Sequence, residues 1–149
     1  MHIRNYHPSD FHTLYKIDQT CFPPGIAYPE SELMHFITQR NSRTWVAEAG
    51  EDIIGFLIAC LEPQELAHIV TIDVVASSRR KGVGRALMDA AEGWAAAERV
   101  RVLYLETAED NVLAQRFYKA RGYSKVDKVD GYYSNGAAAW VMAKTLNEG

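Results

Sequence analysis

The chain has 149 residues, a formal net charge of −3, 48% hydrophobic residues and 23% charged ones. That length fits one domain with a core of its own, and the composition is globular rather than disordered. A charge of −3 offers no electrostatic case for nucleic acid or a membrane surface as a partner.

Met1-His2-Ile3-Arg4-Asn5-Tyr6 has no apolar run after its basic residue, so no secretory leader is expected. Ile3–Tyr6 reads as a short first strand. Pro8-Ser9-Asp10 then opens a helix, with Ser9 or Asp10 as N-cap. Phe11, Leu14, Tyr15 and Phe22 give that helix an apolar face, interrupted by Asp18. Pro23-Pro24-Gly25 ends it, and a second short helix carries Leu33, Phe36 and Ile37. Thr44–Ala49, Ile53–Leu61 and His68–Val75 follow as three strands on short links, hence antiparallel neighbours. Ile53–Leu61 is the longest apolar run, far short of the ~20 residues of a membrane span, and reads as central because both faces are apolar. A long helix follows, apolar along Val83, Ala86, Leu87, Ala90, Trp94 and Ala97. The next strand, Arg101–Thr107, should run parallel to His68–Val75, because a right-handed crossover joins them. A helix over Asn111–Arg121, capped by Asp110 and Gly122, and strands Tyr123–Val129 and Ala138–Thr145 complete the chain.

No repeat, linker or low-complexity tract divides residues 1–149, so a single domain is expected. The fold class is α+β: a mixed, mostly antiparallel sheet of about seven strands with about four helices on its two faces. Cys21 and Cys60 lie far apart, without CxxC or Cys/His metal spacing. They read as reduced structural thiols of a cytoplasmic protein, and no metal is expected.

The most informative stretch runs from Val74 to Met88. A strand ends, a basic glycine-containing turn follows, and a helix begins. Turn amides and a helix N-terminus favour an anion. Gly82 and Gly84 permit close backbone approach, and Arg79, Arg80, Lys81 and Arg85 add charge. The arrangement suits a pyrophosphate, and no Walker loop is present.

Arg79-x-x-Gly82-x-Gly84 resembles the R/Q-x-x-G-x-G/A signature of GNAT N-acetyltransferases. Asn111-x-x-Ala114-x-x-Phe117-Tyr118-x-x-x-Gly122-Tyr123 resembles a second motif of that family. The element order fits along essentially the whole chain. The resemblance implies the GNAT fold and acetyl-CoA as cosubstrate. Ile72, Val74 and Val75 would line the pantetheine arm, the latter two through their backbone. Arg79, Arg80, Lys81, Gly82, Val83, Gly84 and Arg85 would hold the pyrophosphate. Asn111 would contact the CoA arm, and Tyr118 would sit beside the thioester sulfur.

Acetyl transfer to an amine needs a base for the amine and an acid for the departing thiolate. The α-amine has a pKa of about 8 and lysine one of about 10.4. Glu106 stands in the otherwise apolar Leu103-Tyr104-Leu105-Glu106-Thr107, where a carboxylate is costly without a partner or a task. Alternation places it on the face of Tyr104 and Val102. Leu105-Glu106 also resembles the segment that carries the catalytic glutamate of RimI-type ribosomal-protein-alanine N-acetyltransferases. His68, opening its strand, is a second base candidate, and Tyr118 is the acid candidate. His2, His7, His12 and His35 read as structural.

Asp18-x-x-Cys21-Phe22-Pro23, with Ala27-Tyr28, resembles the substrate side of RimI-type enzymes, as does Gly131-Tyr132-Tyr133. The substrate-binding candidates are therefore Phe22, Tyr28, Tyr132 and Tyr133. Two departures stand out: Ala137-Ala138-Ala139 replaces an acidic E-D-A, and Thr107-Ala108 replaces V-R. These departures leave the fold and cofactor site intact but put a ribosomal-protein substrate in question; the resemblance implies a protein or peptide N-terminus as acceptor, with a small amine or a lysine as alternatives. A non-catalytic acetyl-CoA-binding module is a third reading. The oligomer is a monomer or a homodimer.

Overall fold

A computed structural model describes residues 1–147 of the chain. Seven strands, β1 (His2–Asn5), β2 (Ser42–Ala49), β3 (Asp52–Glu62), β4 (Leu66–Val74), β5 (Val102–Ala108), β6 (Ser124–Val129) and β7 (Ala139–Thr145), form one sheet. Its spatial order is β1-β2-β3-β4-β5-β7-β6. Every neighbouring pair is antiparallel except β4 and β5, which run parallel as the crossover requires. The four helices are α1 (Phe11–Cys21), α2 (Glu30–Thr38), α3 (Val83–Ala97) and α4 (Val112–Ala120). Among the described residues no helix is long and apolar enough to cross a membrane.

Two cores sandwich the sheet. Strand alternation in β3 sends Phe56, Ile58 and Cys60 to the face where Phe11, Leu14 and Ile17 of α1 and Leu33 of α2 pack. It sends Leu57 and Ala59 to the opposite face, with Leu87, Met88 and Ala91 of α3 and Tyr118 of α4. This double burial explains the uninterrupted apolar run of β3.

Local details correct three expectations. The first strand is displaced by one residue and ends at Asn5, although the Tyr6 amide still donates to the Thr44 carbonyl. Neither Ser9 nor Asp10 caps α1 with its side chain. The Asp10 carboxylate instead accepts from the His7 amide at 2.8 Å and from both Nη atoms of Arg4, and the chain enters through a 3-10 turn at Pro8–Asp10. α4 is capped by Asn111 rather than Asp110: Asn111 Oδ1 accepts from the Ala114 amide at 3.2 Å. Gly122 closes the helix at φ +98°, a left-handed angle that suits glycine.

The feature that builds the site is a short ladder. β4 and β5 pair at only three positions, Leu66↔Val102, Ala67↔Leu103 and His68↔Tyr104. Beyond His68 the strands separate. A bulge against β3 accompanies the separation: Ile58 pairs with Thr71 and Ala59 with Ile69, leaving Val70 as the extra residue. Bulges bend a strand and re-aim it. The result is a gap in the middle of the sheet, flanked by two strand edges whose facing backbone groups lack each other.

Candidate active site

The gap opens into a cavity of about 370 Å³. Ile69–Ile72 of β4 line one side and Leu105–Ala108 of β5 the other. Phe22, Pro23, Ile26 and Tyr28, from the loop after α1, form one end wall. Asn111, Ala114 and Tyr118 of α4 and Tyr132 and Tyr133 of the β6–β7 loop complete it. All four substrate-side candidates and Glu106, Tyr118, Asn111 and Ile72 thus meet in one place.

Glu106 and His68, 38 residues apart in sequence, are hydrogen-bonded. His68 Nε2 lies 2.6 Å from Glu106 Oε1, with side chains only 16% and 14% exposed. The last rung of the β4–β5 ladder places them: His68 faces Tyr104, and Glu106 is two residues further along the same face. The His68 ring stacks on Tyr104 at 4.7 Å between centroids. Tyr104 in turn donates its hydroxyl to Glu62 Oε1 at 2.5 Å. Glu106 lines the cavity, whereas His68 stands behind it. Burial first, and the Glu106 charge second, push the Tyr132 phenol up to about 12.

Tyr118 is almost fully buried, and its ring packs edge-on against Phe117 and Tyr123. Burial, reinforced by the charge of Asp73, raises its phenol well above the ordinary tyrosine value, so it holds its proton. Asn111 spends its carbonyl oxygen on the α4 cap and keeps its amide group for other partners.

The basic turn is built as an anion cradle. Gly82, at φ +83°, is the N-cap of α3; Arg80 also has a positive φ, at +65°. Arg79, Arg80, Lys81 and Arg85 are exposed, while Val83 is buried in the core. The free amides of the first turn of α3 point out from this loop. Gly84 has a further duty: a Cβ there would stand 3.3 Å from the ring of Phe117, so its absence lets α4 pack against the start of α3. The Val74 carbonyl accepts from Arg79 Nε at 3.1 Å and from the Cys21 thiol at 3.5 Å. The Val75 amide donates to Ile54.

The loop after α1 and the β6–β7 loop, which both line the cavity, also touch each other. The Ser134 amide donates to the Gly25 carbonyl at 3.1 Å. Gly25 sits at φ +88°, and a Cβ there would fall 2.6 Å from Asn135 Cβ, so only glycine permits this contact. Tyr28 is anchored three ways: its amide donates to Asp18 Oδ2 at 2.7 Å, its hydroxyl to the Val70 carbonyl at 3.2 Å, and its carbonyl accepts from Gln19. Cys21 and Cys60 are free thiols, and burial pushes both up to about 11.

A split sheet, a basic turn at the head of one helix and a carboxylate across the gap make a site open to an anionic ligand and a second reactant. Comparison with known proteins agrees. The acetyltransferase (GNAT) family model matches residues 11–123.

The chain belongs to the GNAT acetyltransferase family.

It is an acetyl-transferring enzyme. An N-alpha-acetyltransferase of Sulfurisphaera tokodaii is 27% identical to it, over 97% of this chain and 92% of the relative. Ard1 from Thermoplasma volcanium superposes with a TM-score of 0.89 at 27% identity, covering 99% and 98% of the two chains. The ribosomal-protein-S18-alanine N-acetyltransferase of Escherichia coli superposes with a TM-score of 0.86, covering 99% of this chain and 95% of that one. At 22% identity, this last likeness is one of fold.

Sequence reasoning missed Tyr104 and Glu62 as supports of His68, and it missed Asp73. The signal for Asp73 was present: like Glu106, it is a carboxylate in an otherwise apolar strand.

Proposed function

We propose that this GNAT enzyme transfers acetyl from acetyl-CoA to the terminal α-amine of a peptide or protein. The Glu106–His68 pair on the wall of the split sheet carries the reading, with Glu106 facing the cavity. The curated relative named an N-alpha-acetyltransferase supports the acceptor. Among the cavity residues only Glu106 and Asp110 are acidic, and aromatic and aliphatic groups dominate the rest. That lining suits a peptide end better than a polycation.

In this mechanism the arm of acetyl-CoA lies in the gap against the free edge of β4, beside Ile72 and Val74. The basic turn from Arg79 to Arg85, with Gly82, Val83 and Gly84, holds the pyrophosphate. Asn111 offers its free amide group to the arm. Phe22, Tyr28, Tyr132 and Tyr133 bound the acceptor. The amine nitrogen attacks the thioester carbon and the C–S bond breaks. Glu106 accepts the proton lost by the amine. His68 donates to Glu106 through Nε2 and fixes its orientation, and the stack on Tyr104 fixes His68. An amide on the unpaired edge of β4 polarises the thioester carbonyl. Tyr118, held protonated by burial, donates to the departing thiolate. The net result moves one proton from the amine to the CoA thiol.

The test is CoA release from acetyl-CoA against peptides with free Ala, Ser or Met N-termini, the same peptides Nα-blocked with an internal lysine, and polyamines. Turnover confined to free N-termini is expected. Turnover only with polyamines, or only with the blocked lysine peptides, overturns this acceptor.

A further inference from the structure

Beneath the acceptor wall lies a pair of acidic side chains, which the mechanism does not use. Asp18 projects from α1 and Asp73 from β4, and they are 0% and 1% exposed. Each carboxyl has one oxygen satisfied by a neutral donor. Asp18 Oδ2 accepts from the Tyr28 amide at 2.7 Å. Asp73 Oδ1 accepts from the Thr71 hydroxyl at 2.6 Å. The other two oxygens, Asp18 Oδ1 and Asp73 Oδ2, are buried without a donor among the described residues. α1 meets β4 at this point, for Cys21, one helical turn after Asp18, donates its thiol to the carbonyl of Val74, the neighbour of Asp73, at 3.5 Å, and each carboxyl influences the ionisation of the other.

Two carboxylates cannot both ionise in contact in a dry interior, because each is an acceptor only and both carry charge. A single proton resolves both defects. It turns one orphan oxygen into a donor for the other and removes one of the charges. We infer that Asp18 and Asp73 share one proton as a sealed carboxyl–carboxylate pair, which ties α1 to β4 and, through Tyr28, positions the acceptor wall of the cleft.

The surroundings fit. The groups that face the pair are Cys21 on α1, Tyr28 in the following loop, Thr71 on β4, Arg79 beyond its end and Tyr118 on α4. Only Arg79 is a cation, and its Nε is turned to the Val74 carbonyl at 3.1 Å. Burial raises both carboxyls above the ordinary aspartate value, Asp73 most strongly, and the Asp18 charge adds to the rise at Asp73. Asp18 and Asp73 are positioning residues. Nothing places them against reacting atoms, but Tyr28 hangs from Asp18 by its amide and from β4 by its hydroxyl. The pair therefore sets the spacing between the acceptor wall and the strand that borders the thioester. The kinetic part of this inference rests on the acceptor site proposed above, whereas the shared proton does not.

The experiment has two arms. First, the aspartate carboxyl carbons are followed by 13C NMR through a pH titration, with Asp18→Asn and Asp73→Asn supplying the assignments. One proton should stay on the pair at neutral pH, where ordinary aspartates are ionised. Two ionised carboxylates at neutral pH overturn the inference. Second, kinetics with a free-N-terminal peptide compare Asp73→Asn with Asp73→Leu. Asparagine can donate permanently to Asp18 and still accept from Thr71, so near-normal turnover is expected. Leucine should raise the peptide KM about tenfold, while the acetyl-CoA KM stays within about twofold. An Asp73→Asn enzyme as impaired as Asp73→Leu, or a shift in the acetyl-CoA KM instead, overturns the positioning role. Should the leucine variant not fold, Asp73→Ser replaces it, being too short to reach Asp18. Absence of peptide turnover in the unaltered enzyme counts against the acceptor class alone, because the titration needs no substrate.

Discussion

Two carboxylates stand in apolar strands that flank the same gap, and they have opposite fates. Glu106 on β5 faces the cavity, 14% exposed, and meets His68. Asp73 on β4 is sealed, 1% exposed, and meets another carboxyl. Both carry the cost of a carboxylate among apolar neighbours. Glu106 is relieved by an imidazole and by access to a substrate, Asp73 by a proton held in common. An acidic residue in an apolar strand therefore announces a special arrangement, and its partner and access decide whether that arrangement is chemical or structural.

The largest break in this comparison is Glu106→Gln. It keeps the shape and the His68 contact but cannot take a proton, so kcat should fall by about 10²-fold or more. Acetyl-CoA affinity, measured by calorimetry, should be unchanged. Tyr118→Phe removes the acid proposed for the other end of the transfer. It should cost about 10²-fold in kcat, with the same retention of acetyl-CoA binding. For the sealed pair the readout is stability. Asp18→Ala strands the Tyr28 amide and leaves Asp73 without its partner, and should lower urea stability by about 3 kcal/mol.

The pair also has a pH signature. Its folded-state titration lies above the unfolded aspartate value, so the folded chain binds the extra proton. Its contribution is then complete below the unfolded value of about 3.9 and is lost as pH rises through the folded one. Melting temperature should therefore decline more in the unaltered protein than in Asp73→Asn as pH rises from the unfolded aspartate value through the raised folded-state titration of the pair. Asp10 has the opposite sign: the Arg4 guanidinium holds its carboxyl below the usual range. Its contribution is present above the unfolded value and lost in acid. The smallest effect is expected of Tyr28→Phe, which removes one hydrogen bond to Val70 and should cost about 1 kcal/mol.

Much of this was legible before any coordinates. Periodicity located α3, which buries Val83, Leu87, Ala91 and Ala95 at helical spacing, and β3 showed itself as an unbroken apolar run buried on both faces. Glu106 was conspicuous as a carboxylate in an apolar strand, and the four aromatic candidates came from the resemblance to RimI-type enzymes; all five line the same cavity. The Glu106–His68 contact was not legible. It depends on a parallel register between strands 38 residues apart and on a ladder that stops after three rungs. No local pattern encodes where a ladder stops. Asn111 was read as a ligand while its cap was given to Asp110. Neighbouring Asp and Asn are both good caps, and backbone geometry alone chooses between them. Asp18 was noticed as a gap in an apolar stripe and as the start of a resembling motif, but not as half of a pair, since its partner lies 55 positions away on another element.

The interrupted ladder between β4 and β5 also links occupancy to folding. In every other pairing of the sheet, strand holds strand along most of its length. Here the middle of the molecule is joined by three rungs and completed by whatever lies in the gap. An acetyl-CoA arm that supplies the missing contacts acts as a removable strand. Tight binding to the folded chain alone then stabilises it in proportion to the logarithm of ligand concentration. The supply of acetyl donor would raise the equilibrium stability of the enzyme as well as its speed.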